Sequence, residues 1–193
     1  IEIPEGNEES YKAGRNAVLG GIDFLNQDPD RLLEMRLNFY LRGLNKTEDP
    51  KAENELVGPN GEIVGRVKNG RPKFFPDYYV IPMSLDKDND AQEAFNMIDY
   101  FKRNGVLVKE LKEDIGNYKK GDLVIDMAQA KRGYANHILY KGSNESAWAA
   151  MYAELLVNFP DMRGFKSEPV FADGLFNGKL GEVTTTRATR TSE

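Results

Sequence analysis

The sequence predicts an α/β domain, with helices flanking a mixed, mostly parallel sheet and a helical hairpin at the N-terminus. Apolar residues recur at helical spacing over residues 10–26 and again over residues 28–43. The compact run Tyr78–Met83 is aromatic and β-branched, which is typical of a strand buried on both faces. A strand, a helix and a strand then follow within about 35 residues, the length of a right-handed parallel crossover.

The first two helices form one predicted segment, a helical connector over residues 1–45. The first helix carries an apolar face that should pack on another element. The second begins with Asp28 as the cap and Pro29 in the first turn. Residues 46–76 are rich in Gly, Pro, Asn and charge, so this stretch is predicted to be a loop with at most one small hairpin.

Residues 77–165 form the predicted α/β domain. Asp90 caps a helix that Asn104 and Gly105 end, and strands are predicted over residues 106–111 and 123–127. Two further helices are predicted over residues 130–139 and 146–158. Periodicity fades after Pro160, so residues 166–193 are predicted to be a linker or a tail.

Composition narrows the classes of function. The 193 residues include 26 basic and 31 acidic ones, for a net charge of −5, which gives no basic surface for a nucleic acid. No apolar run approaches the roughly 20 residues that span a bilayer, so we expect a soluble chain without a membrane partner. Because the chain contains no cysteine, thiolate nucleophiles and disulfides are excluded. The chain starts at Ile1 without a signal pattern, which suggests a fragment.

Motifs for catalysis and metal binding are weak. A histidine-glutamate-histidine zinc peptidase needs two imidazoles, and the chain has only His137, for which we expect a structural or surface role. Ser84 lacks the glycines of a nucleophile elbow. Residues 174–180 have one residue too few between their glycines for a phosphate loop. Residues 86–90 imitate a calcium loop, but Ala91 stands where that loop needs glycine, so a helix cap is favoured. We therefore predict no catalytic residue and no metal site in this chain.

One candidate ligand site remains, in the turn after the strand at residues 123–127. Gln129, Lys131 and Arg132 open the next helix, where open α/β sheets usually place their ligand crevice. These three residues suit a small acidic ligand. The alternative is a helix start that carries two solvated cations.

Several stretches resemble a known family. Tyr79–Pro82, Asn104–Val106, Tyr118–Asp122 and Val124–Asn136 match, in order and spacing, the region that follows the catalytic domain of bacterial zinc carboxypeptidase-like proteins. The resemblance covers roughly residues 10–165. It implies a fold like that of class I glutamine amidotransferases, an extracellular or cell-envelope location, and zinc ligands in an upstream peptidase domain. No functional residue of the family can be carried over, and the amidotransferase cysteine is missing.

The sequence thus leaves three functional hypotheses. The first is a non-catalytic accessory domain of a zinc metallocarboxypeptidase-like protein, which packs on the upstream peptidase domain or positions its substrate. The alternative is a stand-alone module that binds peptide or cell-wall fragments through Gln129, Lys131 and Arg132. A carboxylate-based hydrolase ranks last, because spacing alone cannot bring two carboxylates together.

Overall fold

The computed structural model describes residues 6–47, 73–84, 90–141 and 159–184. The chain divides into two compact units, Ile1–Phe39 and Tyr40–Glu193. The hairpin predicted within residues 46–76, most of the calcium-like run at residues 86–90, and the helix predicted over residues 146–158 lie outside the described residues. Among the residues that the structure describes, no helix combines the length and apolar character needed to cross a membrane.

Two helices open the chain, α1 (Glu8–Gln27) and α2 (Pro29–Leu44). The Asn7 side chain caps α1 by accepting from the Ser10 amide, and Asp28 accepts from the Arg31 amide at the start of α2. Both helices are therefore confirmed. A packed hairpin would bury their apolar stripes, yet no residue of α1 is buried and Gly43 is the only buried residue of α2. The predicted hairpin packing is wrong.

The remaining elements build an α/β arrangement of helices on a sheet. They are, in chain order, β1 (Tyr78–Ile81), α3 (Ala91–Arg103), β2 (Lys109–Leu111), β3 (Leu123–Asp126), α4 (Arg132–Leu139), α5 (Phe159–Arg163), β4 (Glu168–Val170) and β5 (Leu180–Gly181). Asp90 caps α3 by accepting from the Gln92 and Glu93 amides, and Gly105 follows the helix with φ of 76°. The predicted start and end of α3 are confirmed.

Over the part of the chain that the structure describes, the sheet has five strands in the order β4-β1-β3-β2-β5, and every pair of neighbours is antiparallel. The prediction of a mostly parallel sheet is wrong. The strand-helix-strand unit β1-α3-β2 does bring β2 back parallel to β1, because both strands run antiparallel to β3. However, β3 lies between β1 and β2 and forms main-chain hydrogen bonds with each of them, so β1 and β2 do not pair with each other. The result is a split β-α-β arrangement, in which a parallel crossover contains no parallel pair.

Alternation along the central strands separates two apolar layers. Tyr79 and Ile81 of β1 face the helices, where they pack with Phe101 of α3 and Leu139 of α4. Tyr78 and Val80 face the other side. All four residues of β1 are buried, which confirms the prediction of a strand covered on both faces.

Residues 166–193 were assigned to a linker or a tail, but β4 and β5 lie there as the two edge strands of the sheet. Between them, Phe176 is 1% exposed and closes the second apolar layer, edge-on to Tyr78 and Tyr118 with ring centroids 5.0 and 5.4 Å away. These strands span three and two residues, too short to give a visible alternation. Their pairing with distant strands therefore left no signal in the sequence.

Phe176 tests whether this segment belongs to the folded core. We expect Phe176→Ala to lower the free energy of unfolding by about 3–5 kcal/mol, because it empties the second layer. The neighbouring control Leu175→Ala, at an exposed position, should stay within about 1 kcal/mol of the wild type. Urea unfolding followed by circular dichroism measures both. Equal, small effects would show that residues 174–181 are not part of the cooperative core.

Candidate functional site

The predicted ligand turn lies between β3 and α4, as expected, but its glutamine is committed to the main chain. Gln129 is 2% exposed. Its amide oxygen accepts from the Leu107 amide at 2.9 Å, and its amide nitrogen donates to the carbonyls of Leu107 at 3.2 Å and Asp126 at 2.6 Å. The side chain thereby joins the end of β3 to the segment before β2. Its role is structural, since each polar atom already has a partner.

The two predicted cations also contact this chain itself. Arg132 is 5% exposed, its guanidinium lies 4.2 Å from the centre of the Phe75 ring, and it donates to the Thr47 carbonyl at 2.5 Å. The ammonium of Lys131 lies 5.7 Å from the centre of the Tyr40 ring. Arg132 is therefore not a solvated cation, whereas Lys131 is only partly buried.

These contacts converge on residues 40–47, which we call the strap. The strap is the end of α2 and the turn that follows it. The Lys46 amide donates to the Gly43 carbonyl at 3.3 Å and the Thr47 amide to the Arg42 carbonyl at 3.0 Å, which together form a Schellman cap. Glycine usually occupies the left-handed position of this cap, but here Lys46 does, with φ of 53°. A lysine in this conformation is strained and depends on surrounding contacts to hold it.

The ammonium of Lys46 supplies such contacts in a cluster of charges at the start of β1. It lies 2.6 Å from the Asp173 carboxylate and 3.6 Å from the Asp77 carboxylate. Asp77 has a side chain only 3% exposed and is also paired with Lys73 at 2.5 Å. A carboxylate this deeply buried requires such compensation. The cluster thus ties the strap to β1 and to the loop after β4.

The pKa values follow from these neighbours. Burial lowers the pKa of Lys46, but the hydrogen bond with Asp173 and the charges of Asp126 and Asp173 outweigh it, so this pKa is raised. The hydrogen bond with Lys46 lowers the pKa of Asp173. Burial, together with the Asp126 charge, raises the pKa of Tyr78. Both shifts favour the protonated forms, an ammonium at Lys46 and a neutral phenol at Tyr78.

His137 is exposed on α4. The Gly174 backbone, by contrast, lies beside the cluster and hydrogen bonds to Asp173 and to Tyr78. Within the described residues, no group of three or more His, Cys, Asp or Glu side chains could hold a metal ion. Sequence reasoning missed Lys46, Lys73, Asp77 and Asp173. Lys73 and Asp77 are only four residues apart, but Lys46 and Asp173 lie far from them in the chain, and no local pattern marks the four as neighbours.

Comparisons of the chain with protein-family models, with curated proteins and with solved structures gave no match. The fold and the contacts of its residues are therefore the physical basis for a functional proposal.

Gly43 tests how closely the strap approaches the Gln129 turn. A β-carbon added there would overlap the Gln129 carbonyl oxygen and lie 3.3 Å from that of Ala130. We expect Gly43→Ala to reduce the free energy of unfolding by about 1–3 kcal/mol. In the control Gly20→Ala the added carbon meets nothing within 4 Å, so helix content should rise without loss of stability. If Gly43→Ala left the free energy of unfolding in urea unchanged, this would argue against the close approach of the strap to the Gln129 turn.

The Lys46–Asp173 pair gives a direct test of the electrostatics. Because the folded pKa of Asp173 lies below its ordinary value of 3.8, the pair stabilises the fold above that pH and loses its effect as the pH falls through the folded value. Carboxyl carbon NMR titration should show this low midpoint and its return toward 3.8 in Lys46→Gln. The midpoint of Asp114, which hydrogen bonds to Lys119 and the Lys120 amide, should not change. An Asp173 midpoint unaffected by Lys46→Gln would contradict the pairing.

Proposed function

We propose that this chain is a non-catalytic accessory region of a zinc metallocarboxypeptidase-like protein, and that it packs on an upstream peptidase domain through α1 and α2. The peptidase assignment is supported by the sequence resemblance over residues 10–165. Zinc would belong to the upstream domain, and the protein would work outside the cell or in the cell envelope.

The exposed apolar surface of α1 and α2 is the observation that carries this proposal. Of the 16 large hydrophobic side chains exposed among the described residues, 13 lie on these two helices. On α1 they include Tyr11, Val18 and Leu25, which stand seven residues apart on one face, and Tyr11 is 71% exposed. So many exposed large hydrophobic side chains on two helices are unusual for a soluble monomer. Packing against another domain would remove them from water.

The polar groups of the α/β unit support a structural role over a catalytic one. Gln129, Arg132 and Asp77 are buried, and each bonds to another part of this chain. The alternative, a module for peptide or cell-wall fragments, needs Gln129, Lys131 and Arg132 to face a ligand. In the structure they contact the main chain and the strap, so this alternative has less support.

The test has two parts. First, the 193-residue chain alone should contain no stoichiometric zinc and should not hydrolyse C-terminal peptide bonds. The complete protein should contain zinc and should hydrolyse these bonds. Second, the triple variant Val18→Gln, Ile22→Gln, Leu25→Gln should reduce binding of an apolar dye by the isolated chain. In the complete protein, the same variant should weaken the contact with the peptidase domain and increase proteolysis between the two parts. Mass spectrometry of the metal, peptide hydrolysis and limited proteolysis provide the measurements.

The matched control is Asn16→Gln, Asp23→Gln, which changes the opposite side of α1 and should alter neither dye binding nor proteolysis. Zinc or turnover in the isolated chain would refute the non-catalytic assignment. An unchanged contact in the complete protein carrying the triple variant would refute α1 as the packing surface, while leaving the non-catalytic assignment in place.

A further inference from the structure

The strap is attached to the sheet and its helices, which we call the α/β core, mainly by polar contacts. Gly43 is the only buried residue among residues 40–47, and Leu41 and Leu44 are each about half exposed. The burial of apolar surface therefore contributes little to its attachment. The ion pair of Lys46 with Asp173 is open to solvent on one side, since the Asp173 side chain is 77% exposed. Such exposed pairs contribute little to stability. Lys46 also lies 3.6 Å from the buried Asp77 carboxylate, which keeps Lys73 at 2.5 Å as its nearer partner.

The attachments follow one another along the strap, so they depend on one another. Tyr40 meets Lys131, Gly43 lies against the Gln129 and Ala130 carbonyls, Lys46 reaches Asp77 and Asp173, and Thr47 accepts from Arg132. The strained backbone of Lys46 lies between the last two contacts. Loss of the ion pair removes one of the contacts that hold this conformation, and the neighbouring contacts then weaken with it.

By contrast, the α/β core is held by two fully buried apolar layers. Segments with few buried apolar contacts open at a lower free energy than the global unfolding. From this difference we infer that the strap is a latch: it detaches from the α/β core without unfolding the sheet, and the ion pair of Lys46 with Asp173 sets how often it does so.

Detachment has a chemical consequence at the turn between β3 and α4. The Thr47 carbonyl is an acceptor for Arg132, and Tyr40 covers Lys131. In the closed state, the strap therefore occupies the edge that the sequence assigns to a ligand. In the open state, both cations lose these contacts. This inference does not depend on the proposed accessory role.

Amide hydrogen exchange of the whole chain, resolved by residue with NMR, tests the latch. The Asn45 and Thr47 amides close the last turn of α2, and a helix end without tertiary support frays in water. We expect both to exchange faster than the Val80 and Val124 amides of the central strands. Asp173→Asn should accelerate the strap amides by about two- to fivefold, the range for a single solvent-exposed ion pair, and leave the strand amides unchanged.

Two further variants separate the latch from a general loss of stability. Lys46→Gln should accelerate the strap amides as Asp173→Asn does, and the double variant should add little to either. Asp114→Asn removes a carboxylate paired with Lys119 in the turn between β2 and β3, and should leave the strap unchanged. The latch is refuted if the strap amides of the wild type exchange as slowly as the strand amides, if Asp173→Asn changes both sets equally, or if it changes neither.

Discussion

The antiparallel pairing of β1 with β3 is the constraint on which the rest of this fold depends. β3 lies between two strands that a helical crossover would otherwise bring together, so α3 covers a sheet in which every neighbour is antiparallel. Because β1 and β3 are buried on both faces, each face of the sheet needs an apolar layer over it. Helices cover one face, and other segments of the chain cover the second. Phe176, from a stretch with little periodicity, closes the second layer.

The polar groups that look functional in the sequence serve this same architecture. The side-chain amide of Gln129 forms hydrogen bonds with main-chain groups of the kind that a neighbouring strand would otherwise form. Arg132 and Asp77 are buried charges, and each is compensated by another part of the chain, the first by the strap and the second by two lysines. Removing these partners would leave a buried charge uncompensated at low dielectric, so the contacts serve the structure of this chain.

The two units present contrasting surfaces. Among the described residues, the sheet and its helices turn most of their large apolar side chains inward, with Leu107 as an exception, whereas those of α1 and α2 are largely exposed. A split β-α-β sheet is compatible with many functions and by itself indicates none. The functional proposal therefore rests on the exposed stripes and on the sequence resemblance, and the latch rests on the weak, polar attachment of the strap.

The sequence alone determined the local structure: the caps at Asp28 and Asp90, the stop at Gly105 and the doubly buried strand β1 all follow from nearest neighbours and periodicity. Only the tertiary structure decided that β3 pairs with β1, because β1 and β2 have the same pattern whether or not β3 separates them. It also decided the partners of Gln129, Lys131 and Arg132, since the position of a residue after a strand does not reveal whether a ligand or its own chain fills the space. The meeting of Lys46 with Asp77 and Asp173 depends on the same long-range topology. Contacts between residues far apart in the chain produce no periodic pattern in the sequence, so they could not be predicted from it.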